Sequence, residues 1–369
     1  MSEKIKISAI VKAIEDYAPT SLQESWDNSG LLVGNPNHEI KSALITLDVT
    51  EAVIDDAILH GDGLIIAHHP LIFSGLKKIT GKTETERVVI KAIQNNIAIY
   101  AAHTNIDVTQ EGVSWRMAQK LGLKNIQTLI PQRGLLKKLV TYIPLDHVDT
   151  VRTAIFNAGA GHIGNYDSCG FSTKGEGSFK AGENTHPYKG EKGTLHFEKE
   201  VRFETIFPIN LQNKIIQALL KAHPYEEVAF DIYPLENTHN NIGLGVVGDL
   251  TSAENSVQFL NRVKTVFDCK TIRHTNIHTE SISRIALVGG AGSSFLDQAI
   301  ASGADVFITG DFKYHQFFDA ENRIIIADIG HYESEQFTKE LFYEIVTNKF
   351  SKFALRLSEV KTNPINYLF

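Results

Sequence analysis

The sequence predicts an α/β protein with two related lobes, mainly parallel sheets and an inserted α+β domain. Short β-branched runs alternate with helical segments in the first third of the chain, and the same alternation returns in the last third. Turn-forming glycines separate the segments. Alternating β and α segments of this length favour parallel strands covered by helices. An amphipathic helix opens the chain, because apolar residues recur at helical spacing from Ser8 to Tyr17 before Pro19.

The elements that follow are strands and helices in strict alternation. Glu51 to His60 (EAVIDDAILH) is a predicted helix, and a capping-box pair, Thr83 and Glu86, precedes a second one (RVVIKAIQNN). The predicted strands around them are Ser42 to Leu47 (SALITL), Leu64 to Ala67 (LIIA) and Ile97 to Ala102 (IAIYAA).

The last third of the chain repeats this pattern. Strands are predicted at Arg284 to Val288 and Val306 to Thr309, with a helix at Ser294 to Ala301 between them. From strand end to strand end the spacing is 22 residues here (Val288 to Gly310) and 21 in the first third (Leu47 to His68). We interpret the two regions as related lobes, although the regularity of α/β segments alone would explain the spacing equally well.

The middle of the chain has a different order of predicted strands and helices. Its predicted order is β-α-β-β-α-β, with a long polar loop from Ser172 to Gly193, which indicates a ferredoxin-like unit. Because α/β segments flank it on both sides, we interpret it as an insertion. The predicted division is a first lobe over residues 1–135, an insert over 136–235 and a second lobe over 236–369.

Composition limits the classes of partner. The chain has 36 Lys and Arg against 43 Asp and Glu, a net charge of -7, and no long basic run, so nucleic acid is not an expected partner. Cys169 and Cys269 stand far apart, which excludes a disulfide framework and a thiolate zinc site within one chain. No secretory signal and no apolar run of about 20 residues is present, so we expect a cytoplasmic protein without a membrane partner.

Histidines and carboxylates follow three predicted strands. His68 and His69 come directly after LIIA, and His103 and Asp107 come after IAIYAA. A third strand, Ile324 to Ala327, leads to His331 and Glu335, four residues apart on one face of a helix turn. Singly, such residues are more often surface side chains. Together they would meet at the carboxyl edge of the sheets, where a cation would offset their charges.

This set of nitrogen and oxygen ligands suits Zn, Mn, Fe, Co or Ni. Five or six ligands exceed what one tetrahedral ion uses, so the sequence predicts two divalent ions per subunit. A carboxylate such as Asp107 would bridge them.

Four motifs resemble one family. Trp26 to Leu31 (WDNSGL), Ala67 to Phe73 (AHHPLIF), His103 to Asp107 (HTNID) and Gly330 to Glu335 (GHYESE) are similar to the motifs of the GTP cyclohydrolase 1 type 2 homologue family, also called Nif-three-like. Within the middle segment, Gly159 to Cys169 and His223 to Glu227 match the long bacterial form, which has a PII-like or CutA-like insert.

The resemblance implies a ligand set and an assembly. The family's dinuclear metal ligands fall on His68, His69, Asp107, His331 and Glu335, and none is missing. It also implies a toroidal homohexamer whose metal sites face an internal cavity. Taken literally, the family name implies hydrolytic opening of the guanine imidazole ring of GTP.

Two functions remain open at this level. The first is a hydrolase of a nucleotide-like or phosphorylated small molecule, with zinc as the favoured metal and His103 or Glu333 as the catalytic acid or base. The alternative is a non-catalytic metal-binding or metabolite-sensing oligomer. Metal positions open to exchangeable water would favour the first, and a closed coordination shell would favour the second.

Three further features carry less weight. Gly289 to Ser294 (GGAGSS) is predicted to be a tight turn between strand and helix, although backbone amides there could hold a phosphate. The segment Trp26 to Asn28 is either a loop beside the site or an ordinary turn. Asp311 and His315 either line the pocket or serve as a helix cap and a surface side chain.

Overall fold

The computed structural model describes residues 4–368 and divides them into two compact units. One consists of residues 4–131 and 240–368, and the other of residues 132–239.

The larger unit contains a five-stranded sheet in the order β17-β4-β5-β6-β2 and a small antiparallel ribbon, β1-β3. Strands β17, β4, β5 and β6 are parallel, and β2 is antiparallel to β6. The strands are β1 (Ile5–Lys6), β2 (Gly30–Val33), β3 (Glu39–Ile40), β4 (Ser42–Thr46), β5 (Leu64–Ala67), β6 (Ala98–Ala101) and β17 (Ala354–Leu357). The helices that cover the sheet are α1 (Ile7–Tyr17), α2 (Glu51–His60), α3 (Glu84–Gln94) and α11 (Thr338–Lys349).

Local chemistry explains where these elements begin and end. Thr50 caps α2 by accepting a hydrogen bond from Val53 N, and Gly61 ends that helix in the left-handed conformation. Thr83 caps α3 in the same way. Every residue of β5 and β6 is buried, as expected for central parallel strands that carry helices on both faces.

A second sheet of the same unit has six strands in the order β13-β16-β15-β14-β12-β7. Its strands are β7 (Lys124–Gln132), β12 (His239–Asn255), β13 (Arg273–His274), β14 (Ser281–Ala291), β15 (Val306–Gly310) and β16 (Ile325–Asp328). The remaining helices are α4 (Thr104–Val108), α5 (Val113–Lys120), α8 (Ser256–Val266), α9 (Leu296–Ala301) and α10 (His331–Glu335). Because β12 and β13 are antiparallel to their neighbours, this sheet is mixed, whereas the sequence predicted mainly parallel strands.

The predicted α/β alternation is confirmed in both regions, with one correction. The strand at LIIA and the helix at EAVIDDAILH have the predicted bounds. The predicted turn at Gly289 to Ser294 is wrong in its first part, because β14 continues through Ala291. A 3-10 turn, Ser293–Phe295, then precedes α9. Gly290 lets the strand bend, since its φ of 68° suits a residue without a side chain.

The smaller unit has the order β8-α6-β9-β10-α7-β11. Its antiparallel sheet runs β11-β8-β10-β9, and both helices pack on one face. The bounds are β8 (Leu136–Pro144), α6 (Val148–Asn157), β9 (Gly170–Lys180), β10 (Leu195–Pro208), α7 (Gln212–Ala222) and β11 (Phe230–Pro234). Over residues 4–368, none of the helices has the length and apolar character that crossing a membrane requires.

Candidate metal centre

The candidate centre lies at the carboxyl ends of strands from both sheets of the larger unit. His68 and His69 follow β5, and His103 and Asp107 follow β6, with Asp107 on the short helix α4. His331 and Glu335 lie one turn apart on α10, which follows β16. Parallel strands direct their carboxyl ends to one edge, and ligands collect there in open α/β sheets.

The imidazole Nε2 atoms and the carboxylates meet at short distances. His331 Nε2 is 3.3 Å from His69 Nε2, and both lie beside Glu335 Oε2, at 3.1 and 3.0 Å. His68 Nε2 is 3.5 Å from Glu335 Oε1 and 3.6 Å from Asp107 Oδ1. Two ligand atoms that bind the same zinc ion, each at about 2.1 Å and with a tetrahedral angle between them, lie about 3.4 Å apart. The observed spacings therefore suit ligands that share an ion.

Unpaired buried atoms point to the same conclusion. His68 Nε2, Asp107 Oδ1 and Glu335 Oε2 are buried, and within the described part of the chain their close contacts with one another and with the other histidines lack the geometry of a well-formed hydrogen bond. Leaving one such atom unpaired costs about 1 to 3 kcal/mol, and more if it is charged. A divalent cation would satisfy all three, so the residues present fit a metal.

His103 belongs to the same cluster. Its ligand atom and those of His68 and His69 lie within 4.8 Å of one another, and a second such group consists of His69, His331 and Glu335. The two groups share His69. The cluster thus offers more nitrogen and oxygen donors than a single tetrahedral ion uses.

Every histidine of the cluster is oriented through its Nδ1 atom. His68 donates to the backbone oxygen of Ala102 at 2.9 Å, and His69 donates to Asp48 at 2.7 Å. His331 and His103 donate to carboxylates too, at 2.8 Å each, and these acceptors are Asp311 and Asp27. Such bonds direct the Nε2 lone pair toward the centre and make the imidazole more basic, as partners of metal-binding histidines do.

Burial and charge shift the pKa values of the cluster in opposite directions. Burial lowers the pKa of His69, but hydrogen bonds to Asp48 and Glu335 outweigh it and raise that pKa to about 10. His331 likewise has a pKa of about 10, because Asp311 and Glu335 outweigh burial. Burial raises the pKa of Glu335, but the surrounding histidines lower it well below its usual value. Without metal, the site therefore holds protons where a cation would otherwise be.

Glu333 lies elsewhere, although the sequence offered it as a catalytic residue. It is two residues from His331 and from Glu335, hence on the opposite face of α10. Its carboxylate accepts a hydrogen bond from Asn363 at 3.0 Å, and burial raises its pKa.

The sequence analysis did not predict that Asp48, Asp27 and Asp311 orient the histidines. Asp48 follows the end of β4 much as His68 follows β5, so its position beside a strand end was the available clue. Asp27 and Asp311 were noted only as residues near the pocket. His315, considered alongside Asp311, instead contacts the rings of Tyr314 and Phe318.

The missing side chain of Gly290 leaves room for the Glu335 carboxylate. A Cβ atom on Gly290 would lie 2.2 Å from Glu335 Oε1, so no side chain fits there. Ser334, beside Glu335, also accepts a hydrogen bond from Gly290 N at 2.8 Å. The bend in β14 and the position of the carboxylate thus depend on the same residue.

Known proteins resemble this chain over its whole length. A family model described as Duf34/NIF3 (NGG1p interacting factor 3) matches residues 5–364. A protein named GTP cyclohydrolase 1 type 2 homolog from Halalkalibacterium halodurans is 41% identical over 364 residues, which are 97% of this chain and 98% of that protein. The protein of the same name from Bacillus subtilis is 40% identical over 374 residues and covers 100% of both.

Solved structures agree with these relatives. A Bacillus cereus protein related to NIF3 is 40% identical, with a TM-score of 0.85 over 100% of both chains. A Staphylococcus aureus protein is 29% identical, with a TM-score of 0.78 over 100% of both chains.

Proposed function

Because the chain belongs to the Duf34/NIF3 family, we propose that it is a metal-dependent hydrolase of a small molecule. The observation that carries the proposal is the set of buried ligand atoms of His68, Asp107 and Glu335 that face one another at the centre of the cluster without a well-formed hydrogen bond. Divalent ions bound there would lower the pKa of a bound water and polarise the bond under attack.

We assign two ions per subunit to one set of ligands, namely His68, His69, Asp107, His331 and Glu335. The distances favour Glu335 over Asp107 as the shared carboxylate. Glu335 Oε1 lies beside His68, and Oε2 lies beside His69 and His331. Zinc is the favoured ion, and Mn, Fe, Co or Ni would also suit these donors.

His103 is assigned as the group that moves the proton. Its Nδ1 donates to Asp27, and Asp27 also accepts hydrogen bonds from Thr104 N at 3.0 Å and Thr104 Oγ1 at 2.5 Å. Burial raises the pKa of Asp27, but these hydrogen bonds lower it below the usual range, so Asp27 stays ionised. Ionised Asp27 would therefore stabilise the protonated imidazole of His103. The ring would take this proton from water and later give it to the leaving group. Glu333 has no part in this assignment.

Two exposed aromatic side chains support a substrate with a planar ring. Trp26 and Phe73 are 56% and 53% exposed, and their ring centroids are 5.7 Å apart. Both meet His103 at steep angles, with centroids 6.1 and 6.4 Å from its ring. Exposed aromatic faces bind heterocyclic bases by stacking. Together with the name of the relatives, this makes a guanine nucleotide the first substrate to test.

We also propose the family-type assembly, a toroidal homohexamer in the cytoplasm whose metal sites face an internal cavity. Support comes from the family membership and the four shared motifs. The strand order of the smaller unit supports a ferredoxin-like fold of the PII or CutA type for it. Such a ring would admit small substrates only. Light scattering should give about six times 41.0 kDa, and a monodisperse monomer or dimer with full metal content would refute the ring.

A turnover screen tests the hydrolase. Metal-loaded protein should hydrolyse at least one member of a panel of nucleoside triphosphates and phosphoesters, and chelated protein should not. His103→Gln should lower kcat by about 100-fold or more while metal content is retained. Trp26→Ala should chiefly raise KM. Absence of turnover by fully loaded protein over the whole panel would favour the non-catalytic metal-binding alternative.

A further inference from the structure

The smaller unit contains a cavity of about 620 Å³ that the metal centre does not use. Helices α6 and α7 pack against one face of its sheet, on side chains such as Phe203 and Phe207. Residues on β10 alternate between faces, so Glu200 and Arg202 belong to the face that the helices leave free, and both line the cavity. Tyr188 and Tyr225 line it from loops.

Among the charged side chains that line the cavity, Glu200 is the buried one. The residue is 8% exposed, and its Oε1 accepts a hydrogen bond from the Tyr225 hydroxyl at 2.8 Å. Within residues 4–368 no Lys, Arg or His forms an ion pair with it, and Arg202 pairs with Glu204 instead, at 2.9 Å. Burying a carboxylate without a cationic partner is costly.

Glu198 on the same strand provides the contrast. Its carboxylate is 2.8 Å from Lys189 Nζ and 3.2 Å from His196 Nε2, so its charge is offset within the chain. Glu198 and Glu200 lie on the same face of β10, but only Glu198 has cationic partners. Glu200 is therefore the carboxylate to which a cationic ligand could bind.

The neighbouring strand β9 carries glycines where the Glu200 carboxylate lies. A Cβ atom on Gly177 would lie 2.2 Å from Glu200 Oε2. Gly175, also in β9, is the direct cross-strand partner of Glu200. The missing side chain at Gly177 therefore gives the carboxylate its room, and the space over Gly175 is open, since a Cβ atom there would meet nothing within 4 Å.

Aromatic rings form the rest of the wall. The centroid of Tyr225 lies 6.1 Å from that of Phe179 and 6.2 Å from that of Tyr188. Burial and the nearby Glu200 raise the pKa of Tyr225, so its hydroxyl remains a donor and its ring neutral. The faces of such rings attract cations.

We propose that this cavity binds an organic cation, an amine or guanidinium compound. Its charged nitrogen pairs with Glu200 Oε2, and its body packs against Tyr188, Tyr225 and Phe179. The volume lies within the usual range of small-molecule sites, about 300 to 1,000 Å³. All residues that line the cavity lie between Tyr142 and Ala229, so the site shares none with the metal centre.

Calorimetric titration of the full-length, metal-loaded protein tests this site. The probes are 2-phenylethylammonium, its neutral isostere 2-phenylethanol and the anion 3-phenylpropionate. We expect the ammonium to bind at least about tenfold more tightly than the alcohol, because only the ammonium forms a charge-assisted hydrogen bond with Glu200. Glu200→Gln should remove that difference, whereas the matched variant Glu198→Gln should keep the affinity within about twofold.

Gly177→Ala is a second variant in case Glu200→Gln fails to fold. It keeps the charge but displaces the carboxylate, and we expect it to weaken ammonium binding. Equal affinity for ammonium and alcohol, preference for the anion, or wild-type affinity in a folded Glu200→Gln variant would overturn the proposal. So would the absence of saturable binding of 2-phenylethylammonium up to about 10 mM.

Discussion

All four histidines of the centre are oriented by a hydrogen bond from Nδ1 to a carboxylate or a backbone oxygen. Asp48 and Asp311 accept from His69 and His331, and each carboxylate has its pKa lowered, because the hydrogen bond to the imidazole favours its ionised form even though it is partly buried. These two aspartates hold the rings in place and donate charge density to them. We therefore expect them to influence metal affinity without contacting the metal.

Neutralising either supporting aspartate should weaken metal binding. We expect Asp48→Asn and Asp311→Asn to lower zinc affinity by about 10-fold to 100-fold, as losses of such partners do at other sites. Competition with a chromophoric chelator measures this directly. Asp55→Asn is the matched control, because Asp55 pairs with Lys91 on the helix surface at 2.6 Å. A loss of affinity in the control equal to that in the other two would contradict the role.

The raised pKa values of His69 and His331 predict that metal displaces protons. Both are about 10 in the metal-free protein, against 6.5 for an ordinary histidine. At pH 8 both rings are therefore protonated before zinc binds, and binding should release at least two protons. Calorimetry in buffers of different ionisation enthalpy counts them, and a release near zero would contradict the shifts.

The same shifts fix the sign of the pH dependence of stability. A raised folded-state pKa contributes stability that is complete below pH 6.5 and is lost as the pH rises toward about 10. Metal-free protein should therefore become less stable over this window. Metal-loaded protein should show the opposite trend, because binding competes with protons.

Among the structural elements, strand β14 shows what sequence patterns could and could not predict. Alternation of apolar runs and helical segments was enough to locate the sheets, and a histidine directly after a buried strand was enough to predict the edge where the histidine and carboxylate side chains meet. The pattern could not show that β14 bends at Gly290 to admit Glu335, because a glycine run is equally typical of a turn. The sequence could not show on which face of α10 Glu333 lies, because this depends on the residue at which the helix begins.

Gly290→Ala should disrupt the centre more than an ordinary glycine substitution would. Gly303 is the matched control, since its φ of 73° is similar to the 68° of Gly290 but a Cβ atom there meets nothing within 4 Å. Both variants pay about 1 to 2 kcal/mol for the left-handed backbone. Only the Gly290→Ala side chain would also clash with the Glu335 carboxylate, so we expect loss of metal from this variant and not from Gly303→Ala. Equal metal content in the two variants would refute this account of the bend.

At the scale of the whole molecule, the chain returns to the larger unit close to where it leaves. Pro131 and Asn240 line one cavity of about 470 Å³, so the two ends are neighbours. All proposed ligands lie outside residues 132–239. Replacing those residues by a short flexible linker should leave the metal content per subunit unchanged. Loss of metal from a folded deletion protein would show that the smaller unit supports the centre.

Metal stoichiometry of the wild-type protein beside Glu335→Ala tests the central claim most directly. After saturation with zinc and removal of free metal, elemental analysis should give two ions per subunit for the wild type. Because Glu335 contacts the histidines on both sides, its loss should remove both ions, whereas Asp107→Ala should remove mainly one. At most one ion in the wild type, or equal losses in the two variants, would contradict a dinuclear centre shared through Glu335.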